Sequence, residues 1–160
     1  VMAIVAPLSG VWSDRIGARM PGVAGMGMVA LGLWMLSHLT PGSPTGAVVL
    51  ALAAVGLGTG LFVSPNSSAL MGAAPRHRQG SAAGVLALAR NLGMVLGVGI
   101  AGAVYATAHA GAVARGATGA PSAVVAGATA SFAVGVGIAA LGVVATAIPR
   151  RAPTPRSSPP

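Results

Sequence analysis

The chain has 160 residues, of which 54% are hydrophobic and only 6% charged, and its mean hydropathy is +0.84. A soluble domain carries roughly 25% charged residues, so this composition excludes a globule that coats itself in water and points to a bilayer. The formal net charge is +8, from nine arginines and no lysine set against one acidic residue, Asp14.

Val1 to Ser9 opens the chain as an apolar run of about nine residues. At 1.5 Å per residue it covers ~14 Å, half of a ~30 Å hydrocarbon core. A truncated first span predicts that the chain is the C-terminal portion of a longer protein. No charged segment precedes the run, so no signal peptide is expected. A polar break follows at Gly10 to Arg19, then a second span from Pro21 to Leu39. Pro21 suits a helix start, where its missing N–H is no loss. The uncharged break Thr40 to Gly46 is rich in Pro and Gly, the chemistry of turns. A third span runs from Ala47 to Gly72, a break from Ala73 to Gln79, and a fourth span from Gly80 to Ala106. A weakly polar loop is expected over Thr107 to Ser122 and a fifth span over Ala123 to Ile148. Residues 149–160 form a basic, Pro-rich tail that is expected to be disordered. The predicted fold is all-α, a polytopic transmembrane helix bundle over residues 1–148.

The arginines divide by side. The breaks at 10–20 and 73–79 and the tail hold seven, whereas the breaks at 40–46 and 107–122 hold only Arg115. Cytoplasmic loops carry the excess of basic residues, which places Asp14 and the C-terminus in the cytoplasm. The alternation is consistent with five crossings. The exclusive use of arginine, with abundant Ala, Gly and Val, reads as codon bias in a GC-rich bacterial genome. The 25 glycines suit close helix packing in lipid. Gly56 and Gly60, Gly80 and Gly84, and Gly93 and Gly97 are each four apart. They either pack helices or let them slide.

Basic chains can bind nucleic acid. Here the arginines stand between apolar runs, and aromatics, the usual stacking platform, are 3% of the chain. No nucleic-acid partner is expected. The absence of cysteine excludes disulfides and thiol chemistry, and His38, His77 and His109 are not spaced as metal ligands. With one carboxylate there is no acid–base pair, so the sequence predicts no enzyme, metal or cofactor.

Two polar features interrupt the spans. Arg90 lies about ten residues into the fourth, ~15 Å deep, where insertion scales charge roughly 2.5–3.5 kcal/mol. Ala83, Ala87, Gly93, Gly97 and Ala101 share its side of the helix, whereas Val85, Leu88, Leu92 and Val95 lie opposite. Arg90 is therefore expected to face the bundle interior, either on a transport path or as a structural charge met by carbonyls, with Asn91 free to bond another helix. In the third span, Pro65 lies beside Ser64, Asn66, Ser67 and Ser68. Proline removes a helix hydrogen bond, so the patch is a kink satisfied by its neighbours or a hinge lining a cavity.

The break Gly10-Val11-Trp12-Ser13-Asp14-Arg15-Ile16-Gly17-Ala18-Arg19 reads G-x-x-x-D-R-x-G-x-R. It resembles the cytoplasmic loop signature of the major facilitator superfamily. The four spans after it match that motif's second copy, in the C-terminal half of the fold. Gly80 to Gly93 is similar to the penultimate span of the fourteen-span drug:proton antiporter branch, and the glycine-rich span containing Pro65 to the one before it. The resemblance implies proton-coupled efflux of small drugs or metabolites by alternating access in a bacterial cell membrane. A facilitator-type uptake permease and a non-transport scaffold remain as alternatives. It further implies that Gly10 and Gly17 shape the loop and that Asp14, braced by Arg15 and Arg19, docks on a helix N-terminus of the missing N-terminal half. The motif's usual final basic pair is reduced here, because Met20 follows Arg19. No acidic residue lies in any span, so proton coupling must use groups in that other half. Residues 1–160 alone in proteoliposomes should therefore show no drug-driven proton flux, and flux comparable to that of the whole protein would refute the assignment.

Overall fold

The computed structural model describes residues 19–117 and 120–148. Four α-helices carry the fold: α1 (Arg19–Ser37), α2 (Thr45–Ala73), α3 (Gln79–Ala114) and α4 (Ala120–Ala147), with a single 3-10 turn, Arg76–Arg78, leading into α3. All four are long and apolar enough to cross a membrane. The described residues contain no strand, as expected where lipid cannot satisfy an open sheet edge. The truncated first span and the C-terminal tail predicted from sequence lie outside the described residues.

Three of the expected spans match their helices to within about three residues. The fourth is longer than expected. The supposed loop from Thr107 is helical as far as Ala114, which makes α3 36 residues long, ~54 Å at 1.5 Å per residue. Weak polarity at Thr107 and His109 does not stop a helix. The stop is Gly116, the one described residue with positive φ (82°). Its N–H bonds to the Val113 carbonyl and that of Ala117 to the Ala112 carbonyl, a Schellman closure that needs glycine in the left-handed conformation. Between α1 and α2, Ser43 N–H closes a turn on the Thr40 carbonyl, and the Thr40 N–H bonds Ser43 Oγ.

The helices lie in the spatial order α2, α1, α4, α3, each packed mainly on its neighbours in that arc. The two ends of the arc, α2 and α3, touch only slightly. Helix α1 is the hub, and it approaches α2 where side chains are missing. A Cβ on Gly25 would sit 2.7 Å from the Gly58 carbonyl oxygen, and one on Gly58 would sit 2.5 Å from that of Gly25. A Cβ on Gly32 would fall 2.8 Å from the Ala51 oxygen. Gly25 and Gly32 on α1, and Ala51 and Gly58 on α2, are each seven residues apart, so two small-residue rows face one another two turns apart. On its other side, α1 inserts Met26 against Gly142 and Leu33 against Gly135 of α4. Tyr105 of α3 lies over Gly127 of α4.

Of the glycines spaced by four in the sequence, Gly60 is buried in α2, but the other five have no close partner. Cβ atoms on Gly56, Gly80, Gly84, Gly93 and Gly97 would meet nothing within 4 Å. The two glycine classes predict a contrast in the whole protein. Gly58→Leu forces the α1–α2 backbones apart and should cost about 1–3 kcal/mol, the usual range for overpacking. Gly56→Leu should leave stability nearly unchanged. Thermal unfolding of the purified protein in detergent measures the difference, and equal midpoints for the two variants would refute the packing assignment.

Candidate functional site

Most hydroxyls in the helices are spent locally. Thr59 donates to the Val55 carbonyl, Thr129 to Val125 and Thr146 to Gly142, each one turn back, which removes the cost of a bare hydroxyl in an apolar medium. Ser131 on α4 additionally donates to the Ala101 carbonyl of α3 at 3.0 Å and so ties two helices together.

Arg90 is the exception. It projects from α3 toward α2, and its Nη2 donates to Ser67 Oγ at 3.4 Å. This bond spans the slight contact that closes the arc. Leu86 and Ala82, one and two turns before Arg90, are the only residues between Gln79 and Ala103 that are partly buried. The three share one face of α3, and that face meets α2. Phe62, Val63, Asn66, Ser67, Leu86 and Arg90 line an open cavity of about 240 Å³. Every group lining it other than Arg90 is neutral, and the chain's one carboxylate, Asp14, lies outside the described residues.

Pro65 is fully buried inside an otherwise continuous α2. A proline there leaves the Leu61 carbonyl without its intrahelical donor. Asn66, the next residue, is exposed and lines the Arg90 cavity. The expected polar patch thus resolves into a buried proline and two cavity residues, Asn66 and Ser67. Asn91 lies away from this cavity, exposed on α3. The small face and the bulky face of α3 are not separated by burial. Ala83, Ala87 and Gly93 are exposed, and so are Val85, Leu88, Leu92 and Val95; of the small set Gly97 and Ala101 line the cleft toward α4.

Of the loop motif, Gly10, Asp14, Arg15 and Gly17 lie outside the described residues, and Arg19 begins α1. Sequence reasoning passed over two aromatic–histidine pairs spaced by four. Trp34 and His38 have ring centroids 4.6 Å apart, and Tyr105 and His109 are stacked at 5.7 Å. Both pairs lie toward the arginine-poor ends of their helices, where amphipathic rings gather at a membrane interface. Among the described residues no group of three or more acidic or histidine side chains could hold a metal ion.

The chain matches the family model described as Major Facilitator Superfamily over residues 1–160. It is 38% identical over 105 residues to the multidrug resistance protein Stp of Mycobacterium tuberculosis, covering 66% of this chain and 19% of Stp. It is 32% identical over 106 residues to the riboflavin transporter RibZ of Clostridioides difficile, covering 66% of this chain and 23% of RibZ. It is 38% identical over 98 residues to the uncharacterized transporter YebQ of Escherichia coli, covering 61% of this chain and 21% of YebQ. The chain thus aligns with about a fifth of the length of these relatives. No solved structure matches it.

The contact with Ser67 also bears on the depth expected for Arg90. Ser67 is six residues, ~9 Å, from the C-terminal end of α2 and ~12 Å from its midpoint. If the bilayer is centred on α2, Arg90 would sit nearer the arginine-rich side than the middle, within reach of snorkelling. A spin label on Arg90→Cys should report a depth ~10 Å closer to that side than a label on Gly97→Cys, two turns on. Equal depths by oxygen and nickel accessibility would refute this placement.

Proposed function

The chain belongs to the major facilitator superfamily, and from that premise we propose that it is part of a secondary active exporter. This exporter moves small drugs or metabolites across a bacterial cell membrane by alternating access, in exchange for protons. Family membership and four membrane-length helices already make it part of a multi-pass transporter of small molecules, not an enzyme. The direction of transport, the proton coupling and the orientation belong to the proposal. In that orientation the C-terminus is cytoplasmic, and an N-terminal half supplies the carboxylates that the spans of this chain lack.

The observation that carries the reading is Arg90. Ionisable residues within membrane spans are functional more often than not, and Arg90 stands beside a cavity of about 240 Å³ whose other lining groups are neutral. Its setting, with Asn66 and Ser67 across the α2–α3 contact, is suited to a group on the transport path. Pro65 adds a point of reduced hydrogen bonding in α2 next to that path, and Asn91 offers a further polar group on the outer face of α3. The resistance function in the name of Stp favours export. The likeness to a riboflavin transporter, whose name states no direction, favours the second reading, facilitator-type uptake on the same scaffold.

In this reading the loop Gly10, Asp14, Arg15, Gly17 and Arg19 is a conformational latch. A carboxylate at a helix N-terminus gains ~0.3–1 kcal/mol, and up to ~2 when partly buried, enough to bias two states of similar energy. The test uses the whole protein in inverted vesicles with an imposed proton gradient and ethidium as the probe. Asp14→Asn should slow transport about fivefold, the effect of ~1 kcal/mol on a two-state equilibrium, and Arg90→Ala should reduce it more. Unchanged transport in both variants would overturn the site assignments. Transport that persists after the gradient is collapsed would favour the facilitator.

A further inference from the structure

The cavity at Arg90 is not the sole opening along α3 among the described residues. An apolar cleft of about 410 Å³ lies between α1, α3 and α4, and its lining includes Met26, Leu33, Gly97, Ala101, Val134 and Ile138. Gly97 follows Arg90 by seven residues, which is two turns and ~10 Å along the helix, and the two positions differ by only about 20° around it. One stripe of α3 therefore carries a cation at one point and opens into an apolar cleft two turns further on.

The chemistry of the two ends is complementary to one kind of molecule. Arg90 has five N–H donors in a planar fork, and its described bond to Ser67 is 3.4 Å long. Charge-assisted bonds to carboxylate or phosphate are ~2.7–2.9 Å and often bidentate. Asn66 adds an amide at the same cavity. The cleft at Gly97 offers hydrocarbon, and a Cβ built on Gly97 meets nothing within 4 Å, so that wall is open. We propose that α3 carries a two-part site for an amphipathic organic anion, with its carboxylate or phosphate on Arg90 and its apolar body in the cleft at Gly97. Binding of such an anion neutralises the one charge that α3 holds within the apolar part of the fold. The natural anion is a membrane lipid with an acidic headgroup or an acidic amphipathic cargo. Only the cargo rests on the transport reading above.

The test uses the whole protein in nanodiscs of phosphatidylcholine, with dodecanoate and dodecanol as probes that share a chain and differ in charge. Wild type should bind dodecanoate at least tenfold more tightly than dodecanol. Arg90→Ala should abolish that preference, and Arg90→Lys should retain part of it. Gly97→Leu should weaken both probes about tenfold by filling the cleft, and Val134→Trp should do the same from α4 if the first variant does not fold. Equal affinities in wild type, a preference that survives Arg90→Ala, or full binding in a folded cleft-filled variant would each overturn the inference. Native mass spectrometry from discs containing phosphatidylglycerol separates the sources. Retained lipid that dodecanoate displaces from wild type, and that Arg90→Ala does not retain, supports the site with lipid as occupant. Gradient-driven movement of dodecanoate in vesicles supports it with cargo as occupant. Ethidium transport in the same preparation keeps the two readings apart. Ethidium transport without acid preference overturns the two-part site alone, whereas acid preference without any transport overturns the exporter alone.

Discussion

The close approach of α1 to α2 is the constraint on which the rest of the arc depends. With Cβ positions on Gly25, Gly32 and Gly58 falling 2.5–2.8 Å from the partner backbone, the two helices can sit this close only because those side chains are absent. In lipid there is no hydrophobic gain from bringing apolar helices together, so packing contact and backbone proximity must supply the attraction. The buried hydrophobic residues are consistent with this. Apart from Leu36 they are alanines: Ala51, Ala112, Ala123 and Ala139. Among the described residues the buried core holds few large side chains, and the α1–α2 contact rests on backbone-to-backbone rows.

That constraint fixes where openings can occur. Helix α1 is drawn onto α2 on one side, and on the other it reaches α4 through longer side chains, Met26 and Leu33, set against Gly142 and Gly135. Helix α3 is held to α4 by Tyr105 over Gly127 and by the Ser131 bond to the Ala101 carbonyl. These ties lie in the second half of α3. Its first half, which carries Arg90, is left to lean on α2 through Ala82, Leu86 and the Ser67 bond. The apolar cleft opens where α3 diverges from α1, and the polar cavity opens where it returns to α2.

The sequence shows the helices clearly, because hydropathy over 18 or more residues is a strong signal when charges are this scarce. It shows helix ends less well. The end expected at Ala106 follows polarity, whereas the helix obeys backbone chemistry and runs on to Ala114, closed by Gly116. The Arg115-Gly116 pair was the usable signal, a glycine placed to close a helix in the left-handed conformation. The packing glycines were also legible in part. A spacing of four drew attention to Gly56 and Gly60, of which only Gly60 is buried, whereas the rows that meet are spaced by seven. Which of many glycines faces a partner depends on helix rotation, and hydropathy carries little information about rotation when every face is apolar. Arg90 and the patch around Pro65 could be picked out as singular residues. Their meeting across 23 residues of chain could not, because it depends on the arc order that sets α3 beside α2.

The two ends of α3 therefore differ in how firmly they are held, and this bears on movement. Rows of backbone contact such as Gly25 against Gly58 tolerate little change in spacing, since the atoms are already at contact and a small rotation would drive a carbonyl into its neighbour. The α2–α3 junction has no such row. It consists of one long hydrogen bond, a neutral cavity and a buried proline that weakens the hydrogen-bond ladder of α2 just before Ser67. If the bundle has to open and close, α1, α2 and the second half of α3 with α4 are built to travel as units, and the first half of α3 can part from α2 at the smallest cost in contact. Arg90 stands at that junction, so the charge is exposed or covered by the same displacement. A substrate or lipid anion bound there would bias the junction between its two positions in proportion to its differential affinity for them.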